Sequence, residues 1–234
     1  MNNLKNRDTI SIVNKYKISE IVKSIKLTSK NVEIGPGRGN ITLGIVSKLG
    51  GKKLILIEIN SKLSKLLRKK LTRRGVKVLN KDILKVNIGE LGRITIIGNI
   101  PYSISNRILT KLLLSRRNIN TQYLMIQIDI FSKLTTIGNW RYYLYNVVYK
   151  IHCVCRLKGN DFDPKVKVSS AFIKMSRQRI INNITEAFII NNCRKLSKLL
   201  LKTINIGLPI YISYKNIRLE EYIYIMLIFR RKIE

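Results

Sequence analysis

From residue 31 onward the chain alternates short, mostly apolar runs with longer stretches in which apolar residues recur every three or four positions. NVEI (31–34), KLILIEI (53–59), VKVLN (76–80), ITIIGNIPY (94–102) and TQYLMIQI (121–128) have the length and β-branched content of buried strands. Three of the intervening stretches, ITLGIVSKL, SKLSKLLRKKL and NRILTKLLL, carry their apolar residues at helical spacing with lysines on the opposite side. Such alternation predicts an α/β, Rossmann-like parallel sheet with crossover helices. Two later runs, IHCVCRL and VSSAFIKM, flank a loop holding Phe162 and Pro164 and predict an antiparallel pair that closes the sheet at seven strands.

The pattern changes after Met175. NITEAFIINNCRKLSKLLLKTI and NIRLEEYIYIMLIF, joined through NIGLPIY, read as two amphipathic helices. The expected organisation is a catalytic domain over residues 1–175 and a small helical domain over 176–234.

Charge alters the picture most. Forty-five Lys and Arg against 13 Asp and Glu give a net charge of +32, spread along the whole chain rather than held in a tail. A field of that sign attracts phosphate backbones and makes nucleic acid the expected partner. Arg194, Lys195, Lys198 and Lys202, on the first C-terminal helix, are candidates for phosphate contacts. The chain has three cysteines, an odd number that suits a reducing compartment better than a disulfide framework. His152, Cys153 and Cys155 lie together, but the chain has no second histidine, and strand alternation accounts for the pattern without a metal. The first thirty residues lack the long apolar run of a signal peptide, and YIYIMLIF is too short to span a bilayer. A cytoplasmic, bacterial-type location is expected, with an organelle or a nucleolus as the alternatives.

The candidate chemistry begins at VEIGPGRG. Gly35, Gly37 and Gly39 fall at a strand-to-helix turn, where glycine lets the backbone bend tightly and lets a ligand approach. The G-x-G-x-G spacing would also suit a plain turn. Acids give it meaning, because the strand ends also carry Glu33, Glu58 and Asp82 in a chain poor in carboxylates. Glu58, about 20 residues past the turn, is placed to hold ribose hydroxyls. Asp82 can accept from an adenine amine, and Glu33 can orient the loop or face an ammonium group. An acid-lined pocket suits S-adenosylmethionine, which has ribose and adenine but no phosphate and carries a sulfonium and an ammonium.

NIPY (99–102) then ends the fourth strand. An exocyclic adenine amine is a poor nucleophile because its lone pair is delocalised into the ring. Were Asn99 and a main-chain carbonyl near Ile100 or Pro101 to accept its two N–H bonds, the nitrogen could turn tetrahedral and present its lone pair to a methyl donor. Tyr102 would stack on the base, holding an unpaired or flipped adenine.

EIGPGRGNIT, IEIN, NKDIL and NIPYSIS, in that order, resemble the rRNA adenine N6-dimethyltransferases of the KsgA/Erm superfamily, over roughly residues 5–230. FDPKVKVSSAFI resembles the family's later loop and strand, which implies that Phe162 packs against the target adenine. The resemblance also implies a cofactor pocket built from Glu33, Gly35, Gly37, Gly39, Glu58, Ile59, Asp82, Ile83 and Asn99. EAFIINNCRKLSKLL and RLEEYIYIM are similar to helices of the small-subunit branch. Dimethylation of two adjacent adenines in the 3′-terminal hairpin loop of small-subunit rRNA is the implied activity, by a monomer with a role in subunit assembly. The family's N-terminal Gln-Asn-Phe-Leu motif, which helps close the cofactor site, should lie near Asp8 to Ile12, where this chain reads DTISI. An RNA-binding assembly or transcription factor with the same fold and little methyl transfer is the alternative reading.

Overall fold

The computed structural model describes residues 10–50, 53–137 and 139–178, together with 186, 188–190 and 223. In chain order these form β1 (Ser11–Ile12), α1 (Lys15–Ser24), β2 (Asn31–Ile34), α2 (Asn40–Leu49), β3 (Leu54–Ile57), α3 (Ser61–Leu71), β4 (Lys77–Leu79), β5 (Ile94–Asn99), α4 (Ser105–Leu114), β6 (Ile119–Gln127), α5 (Ile128–Thr135), α6 (Trp140–Asn146), β7 (Tyr149–Leu157), β8 (Phe162–Asp163) and β9 (Ser170–Arg177). The described residues fall into two compact units, one within 1–128 and 152–176 and the other within 129–151 and 177–234.

The seven-stranded sheet has the order β4-β3-β2-β5-β6-β9-β7. Strands β4 to β6 run parallel, and β9 enters antiparallel to β6. The chain moves outward from β2 through β3 to β4, then returns to place β5 on the other side of β2. That reversal opens a crevice at the carboxyl ends of β2 and β5, the usual ligand position in such sheets. Register makes the meeting close: Ile34 pairs with Gly98. A Cβ on Gly98 would lie 2.9 Å from the Ile34 carbonyl oxygen, so only glycine lets the two strand ends approach.

Local chemistry sets the element ends. The Asn14 side chain accepts from Tyr16 and Lys17 N–H and starts α1. The Asn60 side chain accepts from Lys62 and Leu63 N–H and does the same for α3. Strand β5 stops at Asn99, short of the expected run through Tyr102: Pro101 has no N–H for a ladder, and Tyr102–Ile104 turn instead into a 3-10 helix that leads into α4.

A two-stranded ribbon was not legible in the sequence. β1 pairs antiparallel with β8, Ser11 opposite Asp163 and Ile12 opposite Phe162. Phe162 is 2% exposed and sits in the core cluster with Ile12, Phe172, Tyr123 and Leu157. In the second unit, Asn139 caps α6 and the buried Glu186 carboxylate takes two hydrogen bonds from Arg177, at 2.7 and 3.0 Å. The helices expected over 176–234 lie outside the described residues except at 186, 188–190 and 223. No helix among the described residues is long and apolar enough to cross a membrane.

Candidate active site

The glycine turn is built as its sequence requires. Gly35, Gly37 and Gly39 have φ of 60°, 57° and 86°, left-handed values that side chains disfavour. Gly39 also passes so near α3 that a Cβ would come within 2.9 Å of the Leu67 side chain. Glu58, 5% exposed, stitches this turn to the end of β3: one carboxylate oxygen accepts from Gly37 N–H at 3.1 Å and the other from Asn60 N–H at 2.8 Å. Each oxygen has a second lone pair, so ribose hydroxyls can still donate to it. The Asn80 amide donates to the carbonyls of Glu58 and Ile59 and locks the adjoining strand end. Ile59 stands 69% exposed at this rim, while Ile83 is buried. Asp82 is half-buried and accepts from Leu84 N–H through Oδ1.

Glu33 lies on the floor of the turn, 2% exposed, and accepts from the Thr42 hydroxyl at 2.7 Å. Burial pushes its carboxyl up to about 7; Thr42 opposes the shift and the Glu58 charge adds to it. The consequence for stability is the reverse of a salt-bridged acid. Below the ordinary value of 4.5 both folded and unfolded forms are protonated. As pH climbs from 4.5 toward 7 the unfolded chain ionises first, so stability falls over that window and then levels. Glu33→Gln should abolish this slope in urea midpoints taken at the two ends of the window. An unchanged slope would show that Glu33 ionises normally.

A strap crosses the turn. The Asn99 amide donates to the Ile10 carbonyl at 3.1 Å and the Asn40 amide to the Ile12 carbonyl at 2.6 Å. Beneath it lies a cavity of about 20 Å³ bounded by Ser11, Glu33, Gly35, Gly37, Asn40 and Asn99. Sequence reading missed Asn40, Thr42 and the strap itself. Asp8 and Thr9 of DTISI lie outside the described residues; the main chain of Ile10–Ile12 supplies the two carbonyls of the strap.

At the end of β5, the Pro101 carbonyl accepts from Ile104 N–H and the Ser105 hydroxyl. Tyr102 is half-buried, and its hydroxyl meets Ser170 Oγ at 2.8 Å, a contact that orients the ring from β9. Burial raises the Tyr102 phenol above its ordinary value. Phe162, expected to pack against the target adenine, is 2% exposed with its ring in the core cluster beside Ile12. His152 and Cys153 are both exposed on β7 and Cys155 is buried, so the simple in–out alternation expected from the sequence does not hold across 152–155. No cluster of metal-ligating residues occurs among the described residues. Arg194, Lys195, Lys198 and Lys202 lie outside the described residues.

Residues 1–203 match the family model described as ribosomal RNA adenine dimethylase. The chain belongs to that family. It is 27% identical over 217 residues to ribosomal RNA small subunit methyltransferase A of Pelagibacter ubique (strain HTCC1062), covering 80% of this chain and 78% of the relative. Among solved structures, the 23S rRNA methyltransferase ErmE superposes with a TM-score of 0.72 at 18% identity, covering 92% of this chain and 98% of ErmE. A dimethyladenosine transferase from Plasmodium falciparum does so at 0.68 and 21% identity, covering 94% and 98%. These two likenesses establish the Rossmann-like methyltransferase fold.

The chain is therefore an S-adenosylmethionine-dependent methyltransferase of adenine in ribosomal RNA. Its own residues fit that cofactor: the buried Glu33 carboxyl in a glycine-lined cavity suits an ammonium group, Glu58 keeps lone pairs for hydroxyls, and among the described residues no basic side chain lines the cavity to repel a sulfonium.

Proposed function

We propose that the substrate is small-subunit rRNA and that two adjacent adenines of its 3′-terminal hairpin loop are dimethylated at N6 during subunit assembly. The observation that carries the chemistry is the fixed orientation of Asn99. Its Nδ2 donates to the Ile10 carbonyl and the residue lines the cavity, so Oδ1 serves as the acceptor in this reading. With the Pro101 carbonyl occupied by Ile104 and Ser105, the Ile100 carbonyl becomes the second acceptor. The two acceptors take the two N–H bonds of the adenine amine and draw it toward tetrahedral geometry. S-adenosylmethionine, when bound, supplies the electrophilic methyl group. Positive charge develops on the amine, both acceptors stabilise it, and the proton leaves to water. The monomethylated amine retains one N–H, for which one acceptor suffices, so the same arrangement serves the second transfer.

Tyr102 stacks on the base in this reading. Tyr102→Ala should lower kcat/KM by roughly 10- to 100-fold, the worth of one base–aromatic contact. Tyr102→Phe loses only the Ser170 bond and should stay within about threefold. Equal losses in both variants would assign the effect to the hydroxyl and remove the stacking role.

Residues 1–175 form the catalytic part and 176–234 an RNA-binding helical part in this proposal, with Arg194, Lys195, Lys198 and Lys202 on phosphates. The enzyme acts as a monomer in a bacterial-type cytoplasm. The net charge of +32 supports a nucleic-acid substrate, and the name of the Pelagibacter relative supports the small subunit. Labelled S-adenosylmethionine with unmodified immature small subunits, followed by mapping of the modified bases, tests it. Dimethylation of neighbouring adenines near the 3′ end is the expected result. Transfer only to large-subunit rRNA would overturn the substrate assignment, and subunit binding with no transfer would overturn the activity.

A further inference from the structure

We propose that the solvent face of α3, with the turn that follows it, is a phosphate-backbone anchor for the RNA stem that carries the target adenines. The inference rests on the hairpin substrate proposed above. Between Ser61 and Lys81 the chain has nine basic residues and no acidic one. The inner side of α3 is committed to packing through Ser64, Leu67 and Leu71. Its outer side and the next turn expose Lys62, Lys65, Lys69, Lys70, Arg73 and Arg74. Among the described residues none of these six has an ion-pair partner, whereas Lys17 pairs with Glu20, Arg38 with Asp163 and Arg177 with Glu186.

Spacing makes the arrangement costly for an isolated protein. Lys65 and Lys69 are four apart on α3, the separation at which like charges on a helix repel, and Arg73 and Arg74 extend the row of cations in the 3-10 turn that follows. Lys62 adds a cation to the first turn, where the helix dipole disfavours one. A row of phosphates relieves both penalties and releases the counterions that held them. RNA fits this face better than a membrane does: Leu66, 38% exposed, is the one large apolar side chain on it, and interfacial helices need a broad apolar side.

The face is also tied to the active site. Asn60 caps α3 through its side chain while its own N–H bonds to Glu58, so the helix starts at the cofactor crevice. It then runs roughly 16 Å away from it, at 1.5 Å per residue. Strand β3 lies two places from β5 in the sheet, about 10 Å at the usual strand spacing. A stem lying along α3 therefore sets its loop over the strand ends where Asn99 and Tyr102 wait.

The test replaces Lys62, Lys65, Lys69 and Lys70 together with glutamine in the full chain. The probe is a labelled synthetic hairpin of the small-subunit 3′ end, and its Kd is measured across salt concentrations. Each lost phosphate contact should reduce the slope of log K against log salt by about 0.9, so the fourfold variant should lose about 3–4. Cofactor affinity and kcat at saturating RNA should not change, and the corresponding fourfold Lys→Arg variant should restore the slope. If the glutamine variant melts early, the Lys62/Lys65 and Lys69/Lys70 pairs replaced separately should each lose about 2. A wild-type slope in the glutamine variants would overturn the anchor, as would wild-type binding to phosphatidylserine vesicles that matches hairpin binding and vanishes with the four lysines. Methylation of the hairpin with no change in slope would remove the anchor and leave the proposed function standing. Slope loss with no methylation of immature small subunits by the wild type would remove the proposed function and with it the assignment of this face to the target stem.

Discussion

Asn99→Ala is expected to lower kcat for methyl transfer by about 10²–10³-fold, the usual cost of deleting one group aimed at developing charge in a closed site. The substitution removes the Oδ1 acceptor and also the Nδ2 bond to the Ile10 carbonyl. These two losses separate by measurement. Loss of the acceptor acts on kcat, while loss of the strap contact acts on S-adenosylmethionine affinity. Asn99→Asp keeps an acceptor but turns a carboxylate toward the Ile10 carbonyl, so it should bind cofactor less well than Asn99→Ala. A kcat within threefold of wild type for Asn99→Ala would end the proposed role.

Phe162→Ala should destabilise the fold by about 3–5 kcal/mol, the range for removing a buried aromatic side chain. The ring is 2% exposed and packs with Ile12, across the β1–β8 ribbon. Because β1 also forms part of the strap over the cofactor cavity, the same change should weaken S-adenosylmethionine binding. Urea denaturation beside a cofactor titration checks both effects. A ring whose work is stacking on the target adenine would give the opposite signature: normal stability, normal cofactor affinity and lost turnover on RNA.

The contrast between these two residues shows how far sequence carries. Asn99 stands at the end of a run of strand formers and before a proline, so its position at a strand terminus follows from neighbours alone. Phe162 stands in a loop between two strands, and family resemblance assigned it to the adenine. Its burial depends on a two-residue strand, Ser11–Ile12, about 150 residues away in the chain, and no local pattern announces so short a pairing. Ser170, which orients Tyr102, and Ile10, which orients Asn99, are separated from their partners by 68 and 89 residues.

By itself, the sequence determined the seven strands, three crossover helices, the tight glycine turn and the carboxylates at the strand ends. Each of these depends on side-chain periodicity, on the φ range of glycine or on a cap a few residues away, all short-range effects. Tertiary structure alone decided that the glycine turn and NIPY meet, through the Ile34–Gly98 pairing. It also decided that Glu58 spends its oxygens on Gly37 and Asn60, and that a strap with no family motif still closes the crevice. Those outcomes come from hydrogen bonds between distant segments, whose partners are selected only when sheet closure brings them within reach.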